Sequence, residues 1–169
     1  MDKSEQERAF IKLIQHNERL IYKVCMAYTS ETLLLSDLFQ EVVYNLWKAF
    51  PKFRHECSIS TWLYRIALNT CISNLRKNVK RPVSVPIDHF TEQITEPDSS
   101  EDNIKEMYSL IRQLKTLERA IVLLYLEEKP YQEIADITGL TVSNVAVRLN
   151  RIREKLKTMS KNYNHDGIR

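Results

Sequence analysis

The 169-residue sequence predicts an all-α fold of two small helical domains joined by a flexible acidic linker, the second domain carrying a helix-turn-helix. Apolar residues recur at steps of three and four through most of the chain, the period of an amphipathic helix. Only 2 glycines are present, too few for the tight hairpins of a sheet. Pro82, Pro86 and Pro97 interrupt a stretch that is rich in Ser, Thr and acids and has no helical period, which marks a linker.

Between Glu5 and Tyr28, Phe10, Leu13, Ile14, Ile21, Val24, Cys25 and Tyr28 share a face and predict the first helix. The second runs from Ser36 to Phe50 on a stripe of Phe39, Val42, Val43, Leu46 and Phe50, with Ser36 or Asp37 available as its N-cap and Pro51 closing it. Residues 51–58 are polar and aperiodic. Ile59, Trp62, Leu63, Ile66, Ala67 and Thr70 then predict a third helix to about Asn78, and three helices close a small bundle over residues 1–81. Residues 82–100 are the linker.

In the second domain, residues 101–169, Ile104, Met107, Ile111, Leu114 and Leu117 mark one helix, and the run Ile121 to Leu126, ended by Pro130, marks a buried second. Residues 131–157 read as a helix-turn-helix: Ile134, Ala135 and Ile137 on a short helix, Gly139 where the turn needs positive φ, and Leu140 in the corner. Val145, Leu149, Ile152 and Leu156 face inward from the next helix, which a short C-terminal tail follows. An ordinary αα-corner is the plain alternative, and Arg148, Arg151, Arg153 and Lys155 on the second helix weigh against it.

The net charge of +3 is unevenly spread. Residues 1–81 hold 13 Lys/Arg against 8 Asp/Glu, residues 82–104 hold 6 acids and no base, and residues 105–169 hold 12 bases against 8 acids. Two basic blocks around an acidic connector suggest a polyanion touched twice, solvated surface being the alternative. No apolar run approaches a membrane span, and the polar, acidic start is unlike a signal peptide, so a soluble, cytoplasmic protein is expected. Cys25, Cys57 and Cys71 lack CxxC spacing and read as reduced thiols; neither a zinc site nor any other cofactor is indicated. A Cys/His hydrolase is disfavoured, since nucleophile elbow, phosphate loop and HExxH are all missing. No catalytic residue is expected.

Three motifs in order, DLFQEVVYNLW (37–47), STWLYRIALNTCISNLRK (60–77) and LERAIVLLYLEEKPYQEIADITGLTVSNVAVRLNRIREKL (117–156), resemble the sigma-70 family of bacterial transcription initiation factors, of the extracytoplasmic-function (group IV) type. The resemblance covers nearly all of residues 5–158. It implies two helical domains on a tether, a region 2-like one joining the core RNA polymerase β′ clamp and the −10 element, and a region 4-like one joining the β flap and the −35 element. It also implies an anti-sigma partner, and no insertion into the membrane. The alternative is a ligand-responsive helix-turn-helix repressor with residues 1–81 as sensor or dimerisation domain.

On this resemblance Asp37, Gln40 and Glu41 pair with the polymerase clamp; they share the second helix's polar face with Tyr44, Asn45 and Lys48. The chain departs from the family just upstream, where Leu33, Leu34, Leu35 and Ser36 replace the usual acids. On the third helix Arg65, Asn69 and Arg76 lie on one side and Lys77 follows, bases suited to phosphates and an amide suited to a base edge. The loop Arg54, His55, Glu56, Cys57 and Ser58, with Asn69, is implied to receive a base flipped from the −10 strand, and Trp62 would back that strand or belong to the core. The loop lacks the family's usual Gly and Asp or Asn, so the accepted base is not carried over. At the −35 element, Ser143 and Asn144 open the reading helix, Ala146 and Val147 offer apolar contact, Asn144 and Asn150 address adenine, Arg151 reaches guanine or a phosphate, and Arg148 and Arg153 grip phosphates.

Overall fold

A computed structural model describes residues 2–79 and 99–166. Among them the regular structure is helical apart from one isolated bridge between Ser30 and Leu33. The chain divides into two compact units, Met1–Lys80 and Arg81–Arg169. Residues 82–98 of the expected linker lie outside the described residues, and helix resumes at Ser99, inside the 82–100 span.

In the first unit α1 (Lys3–Met26), α2 (Leu35–Ala49) and α3 (Ile59–Val79) pack mutually. α1 starts earlier than its apolar stripe because the Glu5 carboxylate accepts the Asp2 backbone N–H at 3.3 Å. It ends before Tyr28, which is nonetheless fully buried. Neither Ser36 nor Asp37 caps α2. Leu33 is buried in the Ser30–Leu33 bridge, so the chain turns into the helix at once, with Leu34 extended at the N-cap and making no side-chain bond.

The stripe of α2 is also rotated from the expected one. Leu38, Val42 and Leu46 are buried, whereas Phe39 and Val43 are half-buried beside Phe10 and Trp47 in a shallow groove. The physical reason is that α2 has two neighbours, so its apolar arc is shared between α1 and α3. On α3 the buried apolar set is Leu63, Tyr64, Ala67, Leu68 and Cys71, leaving Ile59 exposed and Trp62 and Ile66 at the margin. Burial of each leucine in this set contributes roughly 1.5–3 kcal/mol.

Asn45, expected on the polar face of α2, instead donates from Nδ2 to Thr70 Oγ1 at 3.1 Å, while the Thr70 hydroxyl donates to Ile66 O at 2.7 Å. All three cysteines are free thiols, and Cys25 and Cys71 are buried in contact between α1 and α3. A hydrogen bond with Cys25, together with burial, pushes the Cys71 thiol far above its ordinary range and keeps it protonated.

The second unit holds α4 (Ser99–Arg112), α5 (Thr116–Leu126), α6 (Tyr131–Thr138) and α7 (Val142–Asp166). The stripe Ile104 to Leu117 is therefore two helices. The break comes where Gln113 and Leu114 turn back onto Leu110 and Ile111, and Glu118 accepts the Lys115 backbone N–H at 3.2 Å to start α5. The Arg119 side chain closes the junction by donating to the carbonyls of Arg112 and Leu114. Ile104 is exposed. Ala120 to Leu124 are all buried, as a central helix touching α4, α6 and α7 requires.

Gly139 ends α6 at φ +74°, the left-handed cap that the turn demands. Thr141 starts α7, its Oγ1 accepting the Asn144 N–H at 3.2 Å. Val145, Leu149 and Ile152 are buried beneath, while Leu140 and Leu156 are only half-buried. Among the described residues no helix is long and apolar enough to cross a membrane.

Candidate nucleic-acid interface

The first unit presents two separate surfaces. On α2, Asp37, Gln40 and Glu41 are all exposed, with Asp37 in the first turn where a carboxylate meets the positive end of the helix dipole. Two large apolar side chains, Leu34 and Tyr44, each 56% exposed, bracket these polar groups. Lys48 sits one turn on, its ammonium 5.1 Å from the Tyr44 ring centre. Gln40 also rims the groove formed by Phe10, Phe39, Val43 and Trp47. Polar specificity and apolar contact thus lie side by side.

On α3 the helical period places Trp62, Arg65, Asn69 and Arg76 along one strip. Asn69, Arg76 and Lys77 are exposed, and Arg65 is half-buried with its Nη1 3.9 Å from Cys57 Sγ. Lys77 stands off the strip, nearer its edge. The loop before α3 is more ordered than a polar, aperiodic reading suggests. A 3₁₀ turn, Phe50–Lys52, leads into it. Phe53 makes ring contacts with both His55, at 4.4 Å, and Trp62, at 4.8 Å.

Within the loop, His55 holds a left-handed backbone, φ +57°, and is exposed together with Arg54 and Glu56. The Ser58 hydroxyl is occupied as the N-cap of α3: it accepts the Thr61 N–H at 3.1 Å and donates to Thr61 Oγ1 at 2.9 Å. The Ser-x-x-Thr spacing was the available signal for that cap. Phe53, outside the expected 54–58 loop, was missed, because a lone aromatic in a polar stretch carries no period.

In the second unit the outward face of α7 above the Gly139 turn carries Ser143, Asn144, Val147, Asn150 and Arg151, all exposed. Val147 is 49% exposed, which an apolar side chain tolerates in water but which would be covered in a groove. Ala146 is half-buried at one flank, and Arg148 is exposed at the other.

Arg153, expected at a phosphate, is exposed and also makes a contact within the unit. Its guanidinium lies 4.5 Å from the Tyr125 ring centre and donates to the Tyr125 hydroxyl, so it is engaged in joining α7 to α5. Lys155 is likewise paired, at 2.7 Å, with Glu118 of α5. Burial alone would raise the Glu118 carboxyl, but the bonds from Lys155 and Lys115 outweigh it and hold the carboxyl below its ordinary value. Among the described residues no cluster of His, Cys, Asp or Glu is arranged to hold a metal.

Residues 13–81 match the family model for sigma-70 region 2, and residues 104–156 match that for sigma-70 region 4. The chain is 31% identical over 134 residues to the ECF RNA polymerase sigma-E factor of Escherichia coli, covering 71% of this chain and 70% of that protein. It is 27% identical over 164 residues to the RNA polymerase sigma-H factor of Pseudomonas aeruginosa, covering 89% of this chain and 85% of that protein. Its fold is similar to that of the sigma factor RpoE solved in complex with the anti-sigma factor NepR from Bartonella quintana, with TM-score 0.68, 19% identity, and coverage of 91% of this chain and 98% of that one.

Proposed function

The chain belongs to the sigma-70 family of RNA polymerase sigma factors, in its extracytoplasmic-function branch, and from that premise we propose how its surfaces divide the work of promoter-directed initiation. A repressor with an N-terminal sensor is not favoured, because residues 13–81 match a sigma region where that sensor would stand. Residues 1–81 act at the polymerase clamp and the −10 element, the acidic segment that begins at residue 82 connects the two regions, and 101–169 act at the β flap and the −35 element.

The exposed Asp37, Gln40, Glu41 face joins the clamp, and the Trp62, Arg65, Asn69, Arg76 strip with Lys77 and the preceding loop engages the melted −10 strand. The protein has no catalysis or cofactor of its own. It works in the cytoplasm, beside the polymerase, and an anti-sigma factor holds it inactive, by analogy with the Bartonella complex.

The observation that carries this reading is the outward face of α7. A left-handed Gly139 and a Thr141 cap bring the first turns of a helix forward with Asn144, Val147, Asn150 and Arg151 exposed and, among the described residues, no partner occupying that face. Such a face fits the major groove, where an amide pairs with adenine and a guanidinium with guanine. Run-off transcription by core polymerase with this chain, over a promoter library randomised at both elements, tests it. Enrichment at two blocks with a fixed spacing is expected. Transcription without enrichment, or tight duplex binding by the free protein as a symmetric dimer, would overturn the reading.

A further inference from the structure

The outer face of α1 carries a stripe of basic residues. Arg8, Lys12, His16, Arg19 and Lys23 follow at steps of four, four, three and four, so they fall within about 80° of arc over about 22 Å of helix. The first four are exposed and Lys23 is half-buried. Phe10, Ile21 and Val24 are buried on the opposite arc, against α2 and α3, so the stripe faces away from both neighbours. Between Arg8 and Lys23 the one acid is Glu18, about 80° outside the arc. Among the described residues no carboxylate pairs with Arg8, Lys12 or Arg19. Two members are already oriented: Arg8 donates from Nη2 to Ser4 Oγ at 2.9 Å and from Nε to Ser4 O at 3.2 Å, and His16 donates from Nδ1 to Lys12 O at 2.7 Å. Arg8 Nη1 and His16 Nε2 are left for a partner.

We propose that this stripe is a further DNA contact of the protein, a sequence-independent grip on the phosphates of duplex outside the melted −10 segment. The partner follows from the chemistry of the arc. Bases in a straight row at intervals of about 5–6 Å meet a backbone of evenly spaced anions, and a guanidinium suits a phosphate oxygen pair. The arc holds no large apolar side chain for the desolvated centre of a protein interface, where lysine is also depleted. Ile11 and Tyr22, exposed on α1, lie along one edge of it. Since the stripe turns away from α3, the DNA it holds is not the strand laid along Trp62, Arg65 and Asn69. Phosphates carry no letter, so the contact adds affinity to every promoter alike. The inference rests on the place of the chain in the sigma-70 family and not on the −10 or −35 assignments.

The test uses the full chain assembled with core polymerase, bound to several different promoters as linear duplex over a salt series. Arg8→Gln, Lys12→Gln and Arg19→Gln remove charge while keeping good helix formers in place. Each should lower the slope of log affinity against log salt by about 0.9. For the triple variant the affinity lost between about 50 and 200 mM salt should be smaller by about 40-fold, to the same degree on every promoter. Circular dichroism and co-purification with core should be unchanged. Lys12→Arg should keep the wild-type slope. A photo-crosslinking benzoylphenylalanine in place of Gln15, which is exposed at the edge of the stripe, should capture DNA in the same complex.

A wild-type slope for the triple variant, while Arg76→Ala and Arg148→Ala lower theirs, would overturn the grip and leave the promoter reading standing. A slope indifferent to all of these changes would overturn both. A loss confined to one promoter sequence, or capture of a polymerase subunit in place of DNA at residue 15, would also overturn the grip, pointing to base readout or to an acidic protein surface instead.

Discussion

Arg153 and Arg151 stand two residues apart on α7, and the structure predicts that replacing them has opposite consequences. Arg153→Ala removes a guanidinium lying 4.5 Å from the Tyr125 ring centre and its bond to the Tyr125 hydroxyl. An exposed cation–π contact contributes about 0.5–1 kcal/mol and a hydrogen bond at such a site a fraction more, so the second unit should lose about 1 kcal/mol. For a unit of this size that is about 4–8 °C in transition midpoint.

The assay follows from composition, because both tryptophans, Trp47 and Trp62, lie in the first unit. Far-ultraviolet circular dichroism registers helices throughout the chain, whereas tryptophan emission tracks the first unit alone. Arg153→Ala should lower a dichroism transition and leave the emission midpoint in place. Its −35 binding, measured with core polymerase well below the melting range, should keep the wild-type salt slope. Arg151→Ala should behave in reverse, with stability within about 0.5 kcal/mol of wild type and an altered −35 preference or a slope lower by about one unit. An unshifted dichroism curve for Arg153→Ala combined with a slope lower by one would refute the reasoning and return Arg153 to the DNA.

Replacing Gln40 with Ala and Glu41 with Lys should abolish co-purification with core polymerase while the helical spectrum is unchanged; intact co-purification would remove α2 from the clamp interface. Gly139→Ala should cost the second unit about 1 kcal/mol from the left-handed backbone alone, because a Cβ built there meets nothing within 4 Å; urea denaturation measures it, and Gly139→Asn should cost less. Since the Glu118 carboxyl is held below its ordinary value by Lys155 and Lys115, its contribution is fully present above the unfolded carboxyl range, about pH 4.3, and is lost as pH falls through the lower folded value. The acid limb of the stability curve should accordingly flatten in Glu118→Gln, and an identical limb would show that the pair does not matter.

Which parts of this were legible in advance follows from the range of the interactions involved. The all-α class and the helix-turn-helix rest on local rules, a 3.6-residue period and a glycine where the backbone must turn left, and these survive in any tertiary setting. The rotation of α2 does not, since Phe39 and Leu38 satisfy the period equally and only the positions of α1 and α3 decide which is covered. The polar residues divide the same way. Asp37, Gln40 and Glu41 are exposed as their pattern required, but Asn45 and Arg153 found partners 25 and 28 residues away, and no spacing rule reaches that far. The 54–58 loop hid its rings because its ordering comes from Phe53 before it and Trp62 after it. The break between α4 and α5 was missed because Leu114 and Leu117 continue the apolar spacing across a turn, and only Glu118, placed three residues after Lys115, marks the new start.

The bond from Asn45 to Thr70 has a mechanical side. It joins the middle of α2, the helix that carries Asp37, Gln40 and Glu41, to the position next to Asn69 on α3. Sliding either helix past the other would strand the half-buried Asn45 amide and leave the Thr70 hydroxyl only its bond to Ile66 O, so the bond acts as a pin through the stack and opposes slippage. A pull applied to one face is passed to the other as movement of the whole bundle. The pin thus adds one polar bond of fixed direction to the apolar packing of α2 on α3, which alone would permit a slide.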